Sequence, residues 1–293
     1  MIHSKKCFQR SFCAAVFAAA VSSFQLFAAP IPDECRVGDF VVGCQAYTFK
    51  NFTVLEAIEK TAQAGGKVIE FFPGQALSKE QPGVVFNHAS PDEAIAKVKA
   101  KLAGEKIHAV NYGVVGAKDK AEWRQIFEFA KKMGLYGITI EAVKDLDTIE
   151  PLVKEFDVRV AIHNHGRRAN NPDYKVWDPN YILSAVKDRD SRIGASADTG
   201  HWATSGIKPL DGIKILRGRI VSLHLKDRAE IGKALPDSIF GTGVSDIAGI
   251  LAELKAQKFD GNISIEYENN WDHSVPDVAQ CVGFIRGWAS RSK

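Results

Sequence analysis

Short apolar runs alternate with longer amphipathic stretches along most of this 293-residue chain. Runs of strand length occupy residues 40–47, 67–72, 107–112, 137–141, 159–165, 193–198, 220–225 and 262–268. Between them, apolar residues recur at helical spacing over 54–64, 91–103, 121–133, 148–156, 180–188 and 247–257. Eight strand–helix units in about 250 residues predict an α/β fold, a (β/α)8 TIM barrel with one parallel sheet. No Gly-rich dinucleotide turn follows the first strand, which argues against an open doubly wound sheet.

The later strands are apolar on one side only. Val160 and Ile162 oppose Ala161, His163 and His165; Val221, Leu223 and Leu225 oppose Ser222, His224 and Lys226. Ile263, Ile265 and Tyr267 likewise oppose Ser264, Glu266 and Glu268, while Ile193, Ala195 and Ala197 oppose Gly194, Ser196 and Asp198. Ile138 and Ile140 oppose Thr139 and Glu141. Residues two apart share a face, so each strand packs one side under a helix and carries ionisable groups at the end of the other. A parallel strand of an open sheet is apolar on both faces. A barrel admits polar groups at its C-terminal mouth, where the chemistry of this fold resides.

The start of the chain departs from this pattern. Lys5, Lys6 and Arg10 precede an apolar stretch over residues 12–27, followed by Ala28, Ala29 and Pro30. That order predicts a signal peptide over residues 1–28, cleaved from a single barrel domain over 29–293. Ser22, Ser23 and Gln25 interrupt the stretch, leaving it short of the ~20 apolar residues of a membrane span. The expected location is therefore periplasmic or secreted, with no membrane association after cleavage.

Charge narrows the partners. The chain has 38 Lys plus Arg and 35 Asp plus Glu; three of the basic residues and none of the acidic ones lie in the leader, so the domain is formally neutral at 35 of each. A neutral domain lacks the basic stripe that nucleic acid requires. Cys35, Cys44 and Cys281 remain after cleavage. Three dispersed thiols are no disulfide framework, although a Cys35–Cys44 bond is open.

Glu141, His163, His165, Asp198, His224 and Glu266 stand at strand ends, with His201, Lys226 and Glu268 just beyond. Imidazoles and carboxylates crowded at one barrel mouth need a compensating charge, and a divalent cation supplies it. Mixed nitrogen and oxygen ligands suit Mn, Co, Zn or Fe. The candidate ligands are Glu141, His163, Asp198, His224 and Glu266, with His163 or Glu141 open as the group that completes the shell. Glu141 or Glu266 is the expected base, His201 a donor to a substrate oxygen, and Lys226 a group polarising a carbonyl or else paired with Glu268 or Asp227. His165, Trp202, Glu268, Trp271 and Glu70 are the expected substrate contacts, His165 alternatively orienting a ligand or making a buried hydrogen bond. The turn Gly241-Thr242-Gly243 occupies a phosphate-binding position of some barrels, although a plain tight turn accounts for it.

Three segments carry a family resemblance: Ala197-Asp198-Thr199-Gly200-His201-Trp202, Leu223-His224-Leu225-Lys226-Asp227 and Ser264-Ile265-Glu266-Tyr267-Glu268. They resemble the xylose-isomerase-like TIM-barrel superfamily, in its sugar phosphate isomerase/epimerase branch, as does the turn at Phe240-Gly241-Thr242-Gly243-Val244. The resemblance implies a metal held by Asp198, His224 and Glu266 from strands six, seven and eight. Epimerases of this superfamily carry Glu where His163 stands, and that Glu is one of two opposed bases. The replacement favours chemistry needing one base, aldose–ketose isomerisation or β-elimination, with Glu141 able to supply the missing carboxylate.

The expected function is thus proton abstraction next to a carbonyl on an unphosphorylated sugar or keto-glycoside, by a metal-dependent isomerase, epimerase or lyase. A metal-dependent hydrolase like the endonuclease IV branch and a non-catalytic sugar-binding barrel are the alternatives. Mouth aromatics would suit a homo-oligomer that closes the cavity.

Overall fold

A computed structural model describes Met1 and residues 31–291; apart from Met1, the expected leader lies outside the described residues. Eight parallel strands form a closed ring: β1 (Phe40–Gln45), β2 (Val68–Phe71), β3 (His108–Val115), β4 (Gly137–Ile140), β5 (Arg159–His163), β6 (Ile193–Asp198), β7 (Ile220–Leu225) and β8 (Asn262–Ile265). Each pairs with the next, and β8 pairs with β1 to close the barrel. The strands expected to reach Tyr47, His165 and Glu268 end two or three residues earlier, so their last polar residues belong to the mouth loops.

Helices α1 (Val54–Gln63), α2 (Asp92–Glu105), α3 (Lys120–Met133), α4 (Leu146–Phe156), α5 (Pro179–Val186), α6 (Thr199–Thr204), α7 (Pro209–Ile215), α8 (Ile247–Ala256) and α9 (Val275–Arg291) complete the units. Local chemistry sets their ends. Thr53 and Glu56 form a reciprocal capping box at α1, and Gly134 closes α3 in the left-handed conformation. Helices α6, α7 and α9 lie outside the sequence-based set. So does a hairpin of Gln75–Ser78 and Gln81–Phe86 beyond β2.

The main apolar core lies between strands and helices, as alternation requires. Inside the ring, Val41, Val68, Val110, Ala161 and Val221 form a plug at the N-terminal end, with Cys35 and Tyr136. Val221 joins it because the β6–β7 register shifts between Ile220 and Ser222. Polar side chains take over toward the mouth. Cys35, Cys44 and Cys281 are buried free thiols, so Cys35 and Cys44 do not pair. Among the described residues no helix is long and apolar enough to cross a membrane.

Candidate metal centre and active site

Parallel register places His224 of β7 beside Asp198 of β6, and His163 of β5 beside Ser196 of β6. Ring closure brings Glu266 to the same point. Nitrogen and oxygen atoms of His163, Asp198, His224 and Glu266 lie within 4.8 Å of one another, and all four residues are buried. His163 Nε2 is 3.1 Å from His224 Nδ1 and 3.5 Å from Asp198 Oδ2, and His224 Nδ1 is 3.2 Å from Glu266 Oε2.

Hydrogen bonds beneath and beside these atoms aim them. Asp198 is the N-cap of α6: its Oδ1 accepts from the His201 N–H at 2.7 Å, leaving Oδ2 directed into the cluster. His201 therefore lies in the first turn of a helix. Asn164 ties the end of β5 to β6, its Nδ2 donating to the Asp198 carbonyl and its Oδ1 accepting from the Asp198 N–H, each at 2.9 Å. Thr199 joins β6 to β7 by accepting from Lys226 N–H (2.7 Å) and donating to its carbonyl (2.8 Å). Sequence reasoning missed both positioning residues; a polar residue directly after a strand-end ligand is the signal that identifies them.

Glu70, expected to touch substrate, lies instead beneath the floor. Fully buried, it accepts from Thr139 Oγ1 (2.7 Å) and Ser264 Oγ (2.9 Å), and its Oε2 is 3.1 Å from His224 Nε2. Position on β2 is the reason: its side chain points inward, but too low on the barrel axis to reach the cavity. At Lys226 the alternative expectation, an ion pair with Glu268, is what the structure has. Its buried ammonium touches Asp198 Oδ2 (3.2 Å), Glu266 Oε2 (2.7 Å) and Glu268, so it neutralises carboxylates and is not free to polarise a carbonyl.

Buried Glu70, Asp198 and Glu266, with half-buried Glu268, set four carboxylates against one ammonium. The imbalance shows in the imidazoles. Burial alone would lower the pKa of His224, but the Glu70 and Glu266 carboxylates outweigh it and hold it well above the usual range. At His163 burial is likewise outweighed, chiefly by Asp198 and Glu141. Burial resists ionisation of Asp198, yet the His201 ring, the Lys226 ammonium and His163 keep it well below the usual carboxylate range. One divalent ion would supply the charge that protons on two imidazoles otherwise provide. Ligand atoms about 2.1 Å from a common ion stand about 3.0–3.4 Å apart, and the contacts here run from 3.1 to 3.8 Å with all four atoms within 4.8 Å of one another. Asp198 Oδ2 is buried and turned into the cluster, with the Lys226 ammonium 3.2 Å away but no well-aligned hydrogen bond. The cluster of His163, Asp198, His224 and Glu266 is consistent with a divalent metal site.

Glu141 is not in this group. Its carboxylate accepts from Tyr174 Oη at 3.0 Å, contacts His165 Nδ1 and lies 3.7 Å from His163 Nδ1. The side chain leaves the top of β4 on the far side of His163, so it backs two imidazoles instead of joining the four converging atoms. Burial resists its ionisation, but hydrogen bonds from His163 and His165 hold it ionised.

Above the cluster is a cavity of about 320 Å³. His163, His165, His201, His224, Glu266 and Glu268 line one side of it, and Tyr47, Phe72, Pro73 and Val114 the other. Burial pulls the His201 imidazole down to about 3, with the Lys226 ammonium adding to the effect and Asp198 opposing it, so the ring is neutral at pH 7. Sequence reasoning missed Tyr47 and Phe72, which come from loops after β1 and β2 where no charged motif marks them. Trp271 stands behind Tyr47, edge to face at 5.9 Å, with the Lys50 ammonium 3.6 Å from its ring. Trp202 is wholly buried and is no substrate contact. It points away from the mouth, and a Cβ on Gly212 would come within 2.7 Å of its ring. A larger cleft of about 590 Å³ opens at the N-terminal end near Lys67, Lys99 and Lys106, away from the converging ligands.

The glycine turn after β7 is already filled. Asp227 Oδ2 accepts from the Gly241 and Gly243 N–H groups (2.9 and 3.0 Å), and Oδ1 accepts from Ser245 N–H at 3.0 Å. A Cβ on Gly243 would lie 2.3 Å from that carboxylate. An internal anion occupies the nest that a phosphate would need.

Comparison with known proteins agrees with this architecture. A protein from Parabacteroides distasonis ATCC 8503 is 33% identical, with 85% of this chain and 99% of that one aligned at a TM-score of 0.68. D-psicose 3-epimerase, solved in the presence of D-fructose, aligns at a TM-score of 0.61 and 14% identity, over 86% of this chain and 97% of that one. The IolI protein with a bound zinc atom aligns at 0.61 and 14%, over 85% and 98%. A search of curated proteins finds no match. Residues 58–286 match the family described as xylose isomerase-like TIM barrel. The chain belongs to that family.

Proposed function

We propose that this protein is a metal-dependent enzyme that removes a proton next to the carbonyl of an unphosphorylated sugar, as an isomerase, epimerase or lyase. The observation that carries the reading is the convergence of four buried donor atoms on the floor of a cavity whose wall holds a histidine–carboxylate pair. His163, Asp198, His224 and Glu266 would hold a divalent ion, which would supply Lewis-acid polarisation to the substrate carbonyl. His165 commits Nδ1 to Glu141, so Nε2 is the nitrogen available to take a proton from carbon. Glu141 orients the ring and stabilises the imidazolium that forms, as a carboxylate does for a general-base histidine. Neutral His201, its ring centroid 4.7 Å from that of His165, donates to, or accepts from, a sugar hydroxyl. Tyr47 and Phe72 offer an apolar wall to the C–H face of a ring.

The cavity suits a neutral ligand. Lys226 is spent on three carboxylates, and Asp227 fills the glycine nest. Similar proteins include a D-psicose 3-epimerase and a zinc-binding IolI protein, which supports sugar and metal. The leader-like start supports export to the periplasm or beyond, where free sugars are the available substrates. Incubation with keto-sugars, Mn²⁺ and deuterated water tests the reading. Solvent deuterium should enter the carbon next to the carbonyl, and its failure to enter any sugar or product would overturn it.

Metal-dependent hydrolysis is a second reading, favoured by one observation: Glu141, His163 and His165 form another group of closely spaced donors. Two tightly held ions per chain would support it, and one would support proton abstraction.

A further inference from the structure

His201 and Glu268 stand on the wall of the reacting cavity. The same two residues line a second cavity of about 360 Å³, bounded by Thr204, Ala234, Leu235 and Pro236. We infer that this second cavity is a subsite for a second sugar ring, so that the substrate is a glycoside whose reacting ring lies over the metal cluster and whose glycosidic bond passes between His201 and Glu268. This rests on the function proposed above and specifies its substrate class.

Size and surface both point to a ring. Each cavity lies near the lower end of the ~300–1,000 Å³ range of small-molecule sites, enough for one ring and not for two. The wall of the second cavity is mixed. Ala234, Leu235, Pro236 and the Thr204 methyl provide an apolar strip, while Arg228, His201 and Glu268 provide polar groups. A sugar ring has the matching halves, an axial C–H face and an equatorial rim of hydroxyls.

Charge disfavours anionic ligands of that size. Arg228 Nε lies 3.0 Å from Asp237 Oδ1, and its NH1 donates to the Leu235 carbonyl. Glu268 is paired with Lys226. The Arg228 guanidinium is thus committed, and the Lys226 ammonium is shared by three carboxylates, so among the described residues this wall offers no free cation to a phosphate or carboxylate ligand. A neutral polyhydroxylated group replaces the hydration of these pairs without requiring a counter-charge. The segment carrying Ala234–Pro236 comes from the long connection between β7 and α8, apart from the strands that bring the converging donors together.

The experiment compares D-fructose with turanose, lactulose and isomaltulose, which carry the same keto-hexose with a second ring at three different positions. Binding to the Mn²⁺-loaded full domain is measured by calorimetry, and solvent-deuterium incorporation gives relative kcat/KM. At least one disaccharide should bind tenfold or more tightly than fructose and exchange with a correspondingly higher kcat/KM. Leu235→Trp and Ala234→Trp, two surface-loop variants checked by their melting temperatures, should cut the disaccharide-to-fructose ratio at least fivefold. Fructose binding and exchanging as well as all three disaccharides, or an unchanged ratio in both folded variants, would overturn the subsite while leaving the proton-abstraction chemistry in place. Absence of exchange and binding with all four sugars would overturn both.

Discussion

Glu70 Oε2 lies 3.1 Å from His224 Nε2, while the other nitrogen of that ring faces Asp198, His163 and Glu266. A carboxylate behind an imidazole attracts the Nε2 proton and leaves Nδ1 as the electron-pair donor. Thr139 and Ser264 hold the carboxylate in place from β4 and β8. The orientation of one ligand is therefore set by three other strands. Glu70→Gln should weaken divalent-ion affinity about 10–100-fold, measured by competition against a chromophoric chelator. Unchanged affinity would show that Glu70 only fills space.

Lys226 offsets carboxylate charge that the protein would otherwise bury uncompensated. Replacing it by Met leaves Asp198, Glu266 and Glu268 without their shared ammonium. Loss of one partner from a buried ionic group costs about 3–5 kcal/mol. Urea denaturation of Lys226→Met in the presence of a chelator should show that loss. Saturating Mn²⁺ should recover a large part of it, because the ion supplies charge to the same oxygens.

Proton transfer should depend on the pair on the cavity wall. His165→Ala or Glu141→Gln should reduce solvent-deuterium exchange by about a hundredfold to ten-thousandfold. Metal content by mass spectrometry should stay at the wild-type stoichiometry, since neither residue is among the four converging donors. Loss of the ion in either variant would move Glu141 or His165 into the coordination set.

Trp202 and Tyr47 should behave oppositely. Trp202 is wholly buried against Gly212, so Trp202→Ala should cost about 3–5 kcal/mol of stability. Tyr47 lines the cavity, and Tyr47→Ala should raise KM with a much smaller change in Tm. Denaturation curves and initial rates on the two variants check the contrast.

Acid sensitivity has an identifiable contributor on the rim opposite the mouth. Arg192 donates to both oxygens of Asp190, each at 2.9 Å, and this hydrogen bonding holds the Asp190 carboxyl down at about 2. An unfolded Asp titrates at about 3.9, so the folded state prefers the ionised form. The resulting stability is complete above that value and is lost as pH falls through the interval down to about 2. Asp190→Asn should be less stable than wild type at pH 6, and the gap in urea midpoint should narrow as pH falls to 3.

The barrel was legible because alternation is a local property. Strands with one apolar face and helices with a buried stripe follow from periods of two and 3.6 residues, and each of the eight strand segments overlaps a strand of the ring. Short helices such as α6 escaped because a single N-cap, here Asp198, starts them without a repeating pattern. The ionisable groups at strand ends were visible for the same local reason that the strands were.

What alternation cannot supply is depth along the barrel axis or direction around a side chain. Both Glu70 and Glu266 point inward, yet strand stagger puts one under His224 and the other beside it. Glu141 and His163 lie on neighbouring strands, but only the imidazole reaches the converging point, leaving the carboxylate behind it. Lys226 shares the inward face with His224 and is consumed by carboxylates from β6 and the β8 loop. Sequence alone determined the kind of fold and the stock of reactive groups, because both are written in near-neighbour spacing. Tertiary structure alone decided which groups meet, because the distances between atoms more than a hundred residues apart are set by the closure and tilt of the ring.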